Sequence, residues 1–281
     1  MFQKLNADKY DTIFYHIYKT STLKVLNLPG NNLAKANPDL FGSAIAKIQS
    51  ANLSDTNISQ EMFLNLFMKL SRTRESSMQS LVHLDISHNT HLKLISPALT
   101  AEALNTLFSV NLKKCGLAVE QLTSLMETRI SEDDSSPLHE VNLSCVSSLS
   151  KVMPQTIGRF VSKLTSATLY ATKLNTNQLY AIMNLPAGEF NCLKFLDLGG
   201  SNLAFISPSL ISSFVNKIES VILHFCKLTA SQQTEILLRV CSGTDLKCLD
   251  LSGNGGNISQ ELLINASKEI RTLKHDLFSV C

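Results

Sequence analysis

Two histidines and an aspartate fall close together at His83, Asp85 and His88, in the segment LVHLDISHNTHL. Imidazoles and carboxylates are metal ligands and proton carriers, so this is the first place to look for chemistry. The spacing of His83 and Asp85 puts both on one face of a short strand, but no third or fourth ligand is implied. Surface histidines are the expectation, with no metal. Seven cysteines are the other reactive groups. None is spaced CxxC, and most sit in apolar runs such as VILHFCKL around Cys226, where a thiol acts as a small hydrophobe. Cys145 and Cys248 could be exposed, but no base is identifiable beside either. HExxH, GxSxG, a Walker loop and a dinucleotide fingerprint are absent from the sequence, and GNGG at Gly253 reads as a turn. We expect no enzyme and no cofactor.

The elements that must hold these side chains are set by a repeat. LKVLNLPGNNL at Leu23 follows L-x-x-L-x-L-x-x-N-x-L, and Leu81, Leu193 and Leu246 begin close copies. Looser copies begin at Ile48, Leu107, Leu138, Leu164 and Ile218. The starts are 25, 33, 26, 31, 26, 29, 25 and 28 residues apart, alternating short and long until the last pair, so the underlying unit is a pair of repeats. Alternating leucines send one face of a short strand into a core, and the residues between them point the other way. The ninth position holds Asn31, Thr56, Asn89, Cys115, Thr172, Ser201, Cys226 and Asn254, side chains able to bond turning backbone; Val146 alone departs. The remainder of each repeat reads as an amphipathic helix that returns the chain to the next parallel strand. The expected fold is an α/β solenoid of about nine repeats, strands lining the concave face of a horseshoe and helices outside. One domain is expected over 1–281. It comprises an N-terminal cap over 1–22 carrying Leu5, Tyr10, Ile13, Phe14 and Ile17, repeats over 23–257, and a closing helix over 258–281. The polar connection after Arg129 is expected to be a surface excursion.

With this period, the alternating units and Cys or Asn at the turn, residues 23–257 resemble the ribonuclease-inhibitor class of leucine-rich repeats. Segments such as LNLPGNNLAKANPDLFGSAIAKI also look like the repeat effectors that intracellular Gram-negative pathogens inject into host cells. The resemblance implies binding of another protein on the concave face, by an inhibitor or a redirecting scaffold. Regulation of a small GTPase and capping of actin filaments are alternatives within the same class.

Composition excludes other partners. Lys and Arg number 25 against 23 Asp and Glu, with no run of like charge to attract nucleic acid or lipid headgroups. No stretch nears the roughly 20 apolar residues that span a bilayer, and MFQKLNADKYD lacks the apolar segment of a secretory signal. The odd cysteine count fits a reducing compartment, so a cytoplasmic protein, monomeric when free, is expected.

Third, fifth, seventh and eighth positions of each repeat should project from the strand face. Tyr170, Phe195, Ile222, His224 and Phe225 would then gather across three strands as an aromatic and apolar patch, the kind of group that anchors protein interfaces. His83, Asp85, His88, Lys113 and Lys114 would make a second, charged contact region.

Overall fold

A computed structural model describes residues 7–20, 22–73, 81–131, 136–185, 192–276 and 278–280; Leu5 and part of the polar connection after Arg129 lie outside them. The chain falls into two compact units that meet between Asn142 and Leu143. The first holds α1 (Ala7–Thr20), β1 (Val25–Asn27), α2 (Pro38–Ile45), β2 (Ser50–Asn52), α3 (Gln60–Thr73), β3 (His83–Asp85), α4 (Pro97–Leu104), β4 (Ser109–Asn111), α5 (Val119–Ser131) and β5 (Glu140–Asn142). The second holds α6 (Pro154–Ser162), β6 (Ser166–Thr168), α7 (Thr176–Met183), β7 (Phe195–Asp197), α8 (Pro208–Val215), β8 (Ser220–Ile222), α9 (Ala230–Cys241), β9 (Cys248–Asp250), α10 (Gln260–Glu269), β10 (Thr272–His275) and β11 (Phe278–Val280).

Within each unit neighbouring strands are parallel, the last pair β10 and β11 excepted, and the register of the parallel strands is the repeat register: third positions face third positions, as in Ser50 with His83 or Phe195 with Ser220. The fourth and sixth positions of the L-x-x-L-x-L pattern, such as Leu84 and Ile86 or Leu196 and Leu198, are buried. Each buried aliphatic side chain of this size contributes about 1.5–3 kcal/mol.

The turn after each strand has one fixed requirement. At the eighth position all nine repeats are left-handed, from Phe225 at φ 53° to Gly200 at φ 74°, so the chain reverses at the same residue every time. In the second, fourth, sixth and eighth repeats the tenth position is left-handed as well, at Asn57, Gly116, Lys173 and Lys227. The first, third, fifth and seventh instead run into helices started by Pro38, Pro97, Pro154 and Pro208, whose missing N–H costs nothing at that place. The proline-started helices are short, 8 or 9 residues, against 14, 13 and 12 in α3, α5 and α9, which accompanies the alternating repeat lengths; the tenth position of the ninth repeat, Gly255, is left-handed too.

Two polar ladders tie repeats together. Asn89 Nδ2 donates to the carbonyls of Leu53, Ile86 and Ser87, and its Oδ1 accepts from the amides of Thr56 and Ile58. Asn254 does the same for Leu223, Leu251, Ser252, Cys226 and Leu228. Cys115 and Cys226 donate their thiols to the preceding repeat's Ile86 and Leu198 carbonyls. In a second ladder the buried amides of Gln121, Gln178 and Gln232 each donate to two carbonyls of the repeat before: Leu92 and Ile95, Leu149 and Val152, Leu203 and Ile206.

Tyr10, Phe14 and Ile17 of α1 are buried, Ile13 is half-buried, and the Tyr10 hydroxyl donates to Asn31 Oδ1 at 2.9 Å. At the other end the chain departs from the expected closing helix. α10 stops at Glu269, and β10 then pairs in parallel with β9 while β11 turns back antiparallel to β10. Ile270, Leu273 and the buried His275 take the leucine places of a tenth, truncated repeat, hidden in the sequence because histidine stands at the sixth position.

Candidate functional site

The strand face is built from the odd positions, and the fifth is less free than its polarity suggests. Asn52, Asp85, Asn111, Asp197 and Asp250 each accept, through Oδ1, the amide two residues on. In these five repeats the column is a row of side-chain turns that ends the strand. Repeats six and eight interrupt it with Thr168 and Ile222.

Those two interruptions carry the rings. Tyr170 and His224, both at seventh positions, lie with ring centroids 5.2 Å apart although Gly199 stands between them in the sheet. The gap closes because Gly199 has no side chain: a Cβ there would stand 2.5 Å from His224 Cε1. Phe225 meets His224 edge-on at 5.7 Å and lies over Gly253, whose Cβ would be 2.3 Å from its Cδ1. Tyr170 in turn lies beside Gly200. Three glycines thus floor three aromatic rings, and Phe225 remains 62% exposed. Ile222, half-buried, sits one strand step below His224 in this shelf. Phe195 is at the third position of β7, between Ser166 and Ser220 in register, roughly 13 Å down the strand from the ring row at about 3.3 Å per residue.

In the first unit His83 and His88 are exposed, Lys114 is exposed and Lys113 half-buried. Asp85 is occupied internally: Oδ1 accepts the Ser87 amide and Oδ2 the Asn111 Nδ2 at 2.8 Å. His83 instead belongs to a second ring row. It meets Phe108 edge-on at 5.7 Å, and Phe108 stacks on His139 at 5.1 Å. Sequence reasoning missed Phe108 and His139 because both stand at second positions, outside the projecting columns; aromatic residues at that place in consecutive repeats were the available signal. His83, Asp85, Ser50, Asn52, Ser109 and Asn111 also bound a shallow depression of about 240 Å³.

Burial pushes the thiols of Cys115 and Cys226 up to about 12, so neither supplies a thiolate nucleophile at neutral pH. Burial also raises the Asp197 carboxyl, opposed by the Gly199 amide and by His224. No group of three or more His, Cys, Asp or Glu that could hold a metal occurs among the described residues, and no helix among them is long and apolar enough to cross a membrane.

No protein-family model matches the chain, and no curated protein matches it. Among solved structures it is similar to the leucine-rich-repeat-containing protein LegL7 from Legionella pneumophila, with a TM-score of 0.56 and 18% identity over 95% of this chain and 86% of that one. At that identity the likeness speaks for the fold, and it agrees with the register, the leucine positions and the asparagine ladder: the chain is an α/β leucine-rich-repeat solenoid.

Proposed function

We propose that this chain is a protein-binding scaffold whose strand face docks another protein and inhibits or redirects it. The observation that carries the reading is the glycine-floored shelf of Tyr170, His224 and Phe225, with Phe225 exposed and the other two half-buried, among seventh and eighth positions that are otherwise mostly small or polar. Aromatic side chains in such a setting are the usual anchors of interfaces, and the preformed backbone loses little entropy on association. Likeness in fold to a Legionella protein, together with the effector-like texture of the repeats, supports an injected bacterial effector working in a host cytosol.

The test is site-specific photocrosslinking in lysates of candidate host cells. A benzoylphenylalanine at Phe225 should label one protein that the same group at Leu238, 51% exposed on the helical side, does not. Equal labelling from both positions would contradict the proposal.

A further inference from the structure

At the fifth position the turn needs only an oxygen. Asn52 and Asn111 cap their amides at 3.1 Å, as Asp197 and Asp250 cap theirs at 2.7 and 3.0 Å. The negative charge of an aspartate there is therefore surplus to the fold. In the first unit Asp85 puts its second oxygen to use by accepting from Asn111 Nδ2. Asp197 is different. It is only 8% exposed, and the Gly199 amide is the hydrogen-bond donor found on it among the described residues. A carboxylate this buried is costly, the Gly199 amide and the His224 ring offsetting burial only in part, and a neutral asparagine would have made the same turn.

Its surroundings indicate what would compensate it. Register places Ile222 between Asp197 and Asp250, so the two carboxylates flank an apolar side chain about 10 Å apart across two strand spacings. The rings of Tyr170 and His224 rise at the next projecting row. Among the fifth and seventh positions of β7, β8 and β9 and the residues that follow them, Asp197 and Asp250 are the only formal charges; the exposed Lys274 lies beside Asp250 on β10, away from Asp197. Lys194 and Lys247, at second positions lower on the strands, pair with Glu219.

We propose that this place receives an arginine side chain of the docked partner, its guanidinium held between Asp197 and Asp250 over Ile222 and walled by the Tyr170 and His224 rings. The inference rests on the docking reading above and adds the chemistry recognised. Guanidinium suits it because it is planar, stacks on aromatic faces and pairs with two carboxylates at once.

The test titrates the full chain with N-acetyl-argininamide and, separately, with its uncharged counterpart N-acetyl-norleucinamide, following the ring signals of Tyr170 and His224 by NMR. The arginine probe should give saturable shifts, and the norleucine probe should bind at least about tenfold more weakly. Asp197→Asn and Asp250→Asn, which keep the turn as Asn52 and Asn111 do, should each weaken the arginine probe by about tenfold, the loss expected for a charged hydrogen bond. Three results would each overturn the inference: equal binding of norleucine, wild-type affinity in both variants, or no shift up to the solubility limit of the probe. None of them bears on docking itself, which the crosslink from Phe225 decides separately.

Discussion

His224 lies over Gly199 so closely that a single added carbon would stand 2.5 Å from its Cε1 and 2.7 Å from its Nε2. The glycine is there for the ring. Gly199→Ala should push the imidazole away from Tyr170, costing about 1–2 kcal/mol as overpacking does. Urea unfolding measures the cost, and the His224 ring signals report the displacement. An alanine accepted with no change in either would mean that the ring is not held.

Asp197 gives a prediction opposite in sign. Its carboxyl is raised by burial, so the folded chain holds that proton more tightly than the unfolded one. Stability from this group is full below the unfolded value near 3.9 and is lost as pH rises through the folded value, so the penalty is complete at neutral pH. Asp197→Asn keeps the cap and should raise the melting temperature at pH 7, with the gain vanishing near pH 3. A loss of stability at pH 7 would show that the charge serves the free protein.

Two residues at the ninth position should respond very unequally. Asn89→Ala strands the amides of Thr56 and Ile58, while the Leu53, Ile86 and Ser87 carbonyls keep Thr56 Oγ1, the Cys115 thiol and the Asp55 amide, and should cost about 2–3 kcal/mol in chemical unfolding. Ser201, whose buried hydroxyl has no hydrogen-bond partner among the described residues, should tolerate alanine within about 0.5 kcal/mol. Similar costs at the two sites would contradict the ladder.

At the C-terminal end, His275 Nε2 is paired with Gln233 Oε1 and the ring is buried, which lowers its pKa although Asp276 opposes the shift. The folded chain therefore resists a proton that the unfolded chain takes near pH 6.5. Stability should fall as pH drops from 7.5 through 6.5, and His275→Gln should flatten that slope in urea titrations at pH 7.5 and 5.5. A slope unchanged by the substitution would place the titration elsewhere.

The frame was legible because leucine spacing is a strong periodic signal: strand centres, parallel order and the ninth-position bonds of Asn89, Cys115 and Asn254 all follow from L-x-x-L-x-L-x-x-N. Contacts that depend on what lies one repeat away were harder to read. Nothing local to His224 says that its ring can reach Tyr170; that depends on Gly199, 25 residues earlier. The fifth-position aspartates look like free surface in sequence because their caps involve backbone, and Asp85 is tied further by Asn111. Phe195 shares the aromatic character of the patch but stands four residues down its strand from the ring row, a separation that column membership alone does not convey. The tenth repeat escaped notice because a histidine fills a leucine place.

Phe225 holds a bulky ring at φ 53°, a conformation that favours glycine, so it is kept at a backbone cost of about 1–2 kcal/mol. Removing it should therefore harm binding far more than folding. The most direct test is the dissociation constant of the protein crosslinked from position 225, measured by calorimetry with wild type and with Tyr170→Ala/Phe225→Ala. The account predicts at least about tenfold weaker binding with circular dichroism and melting close to wild type. Unchanged affinity in that folded double variant would contradict it.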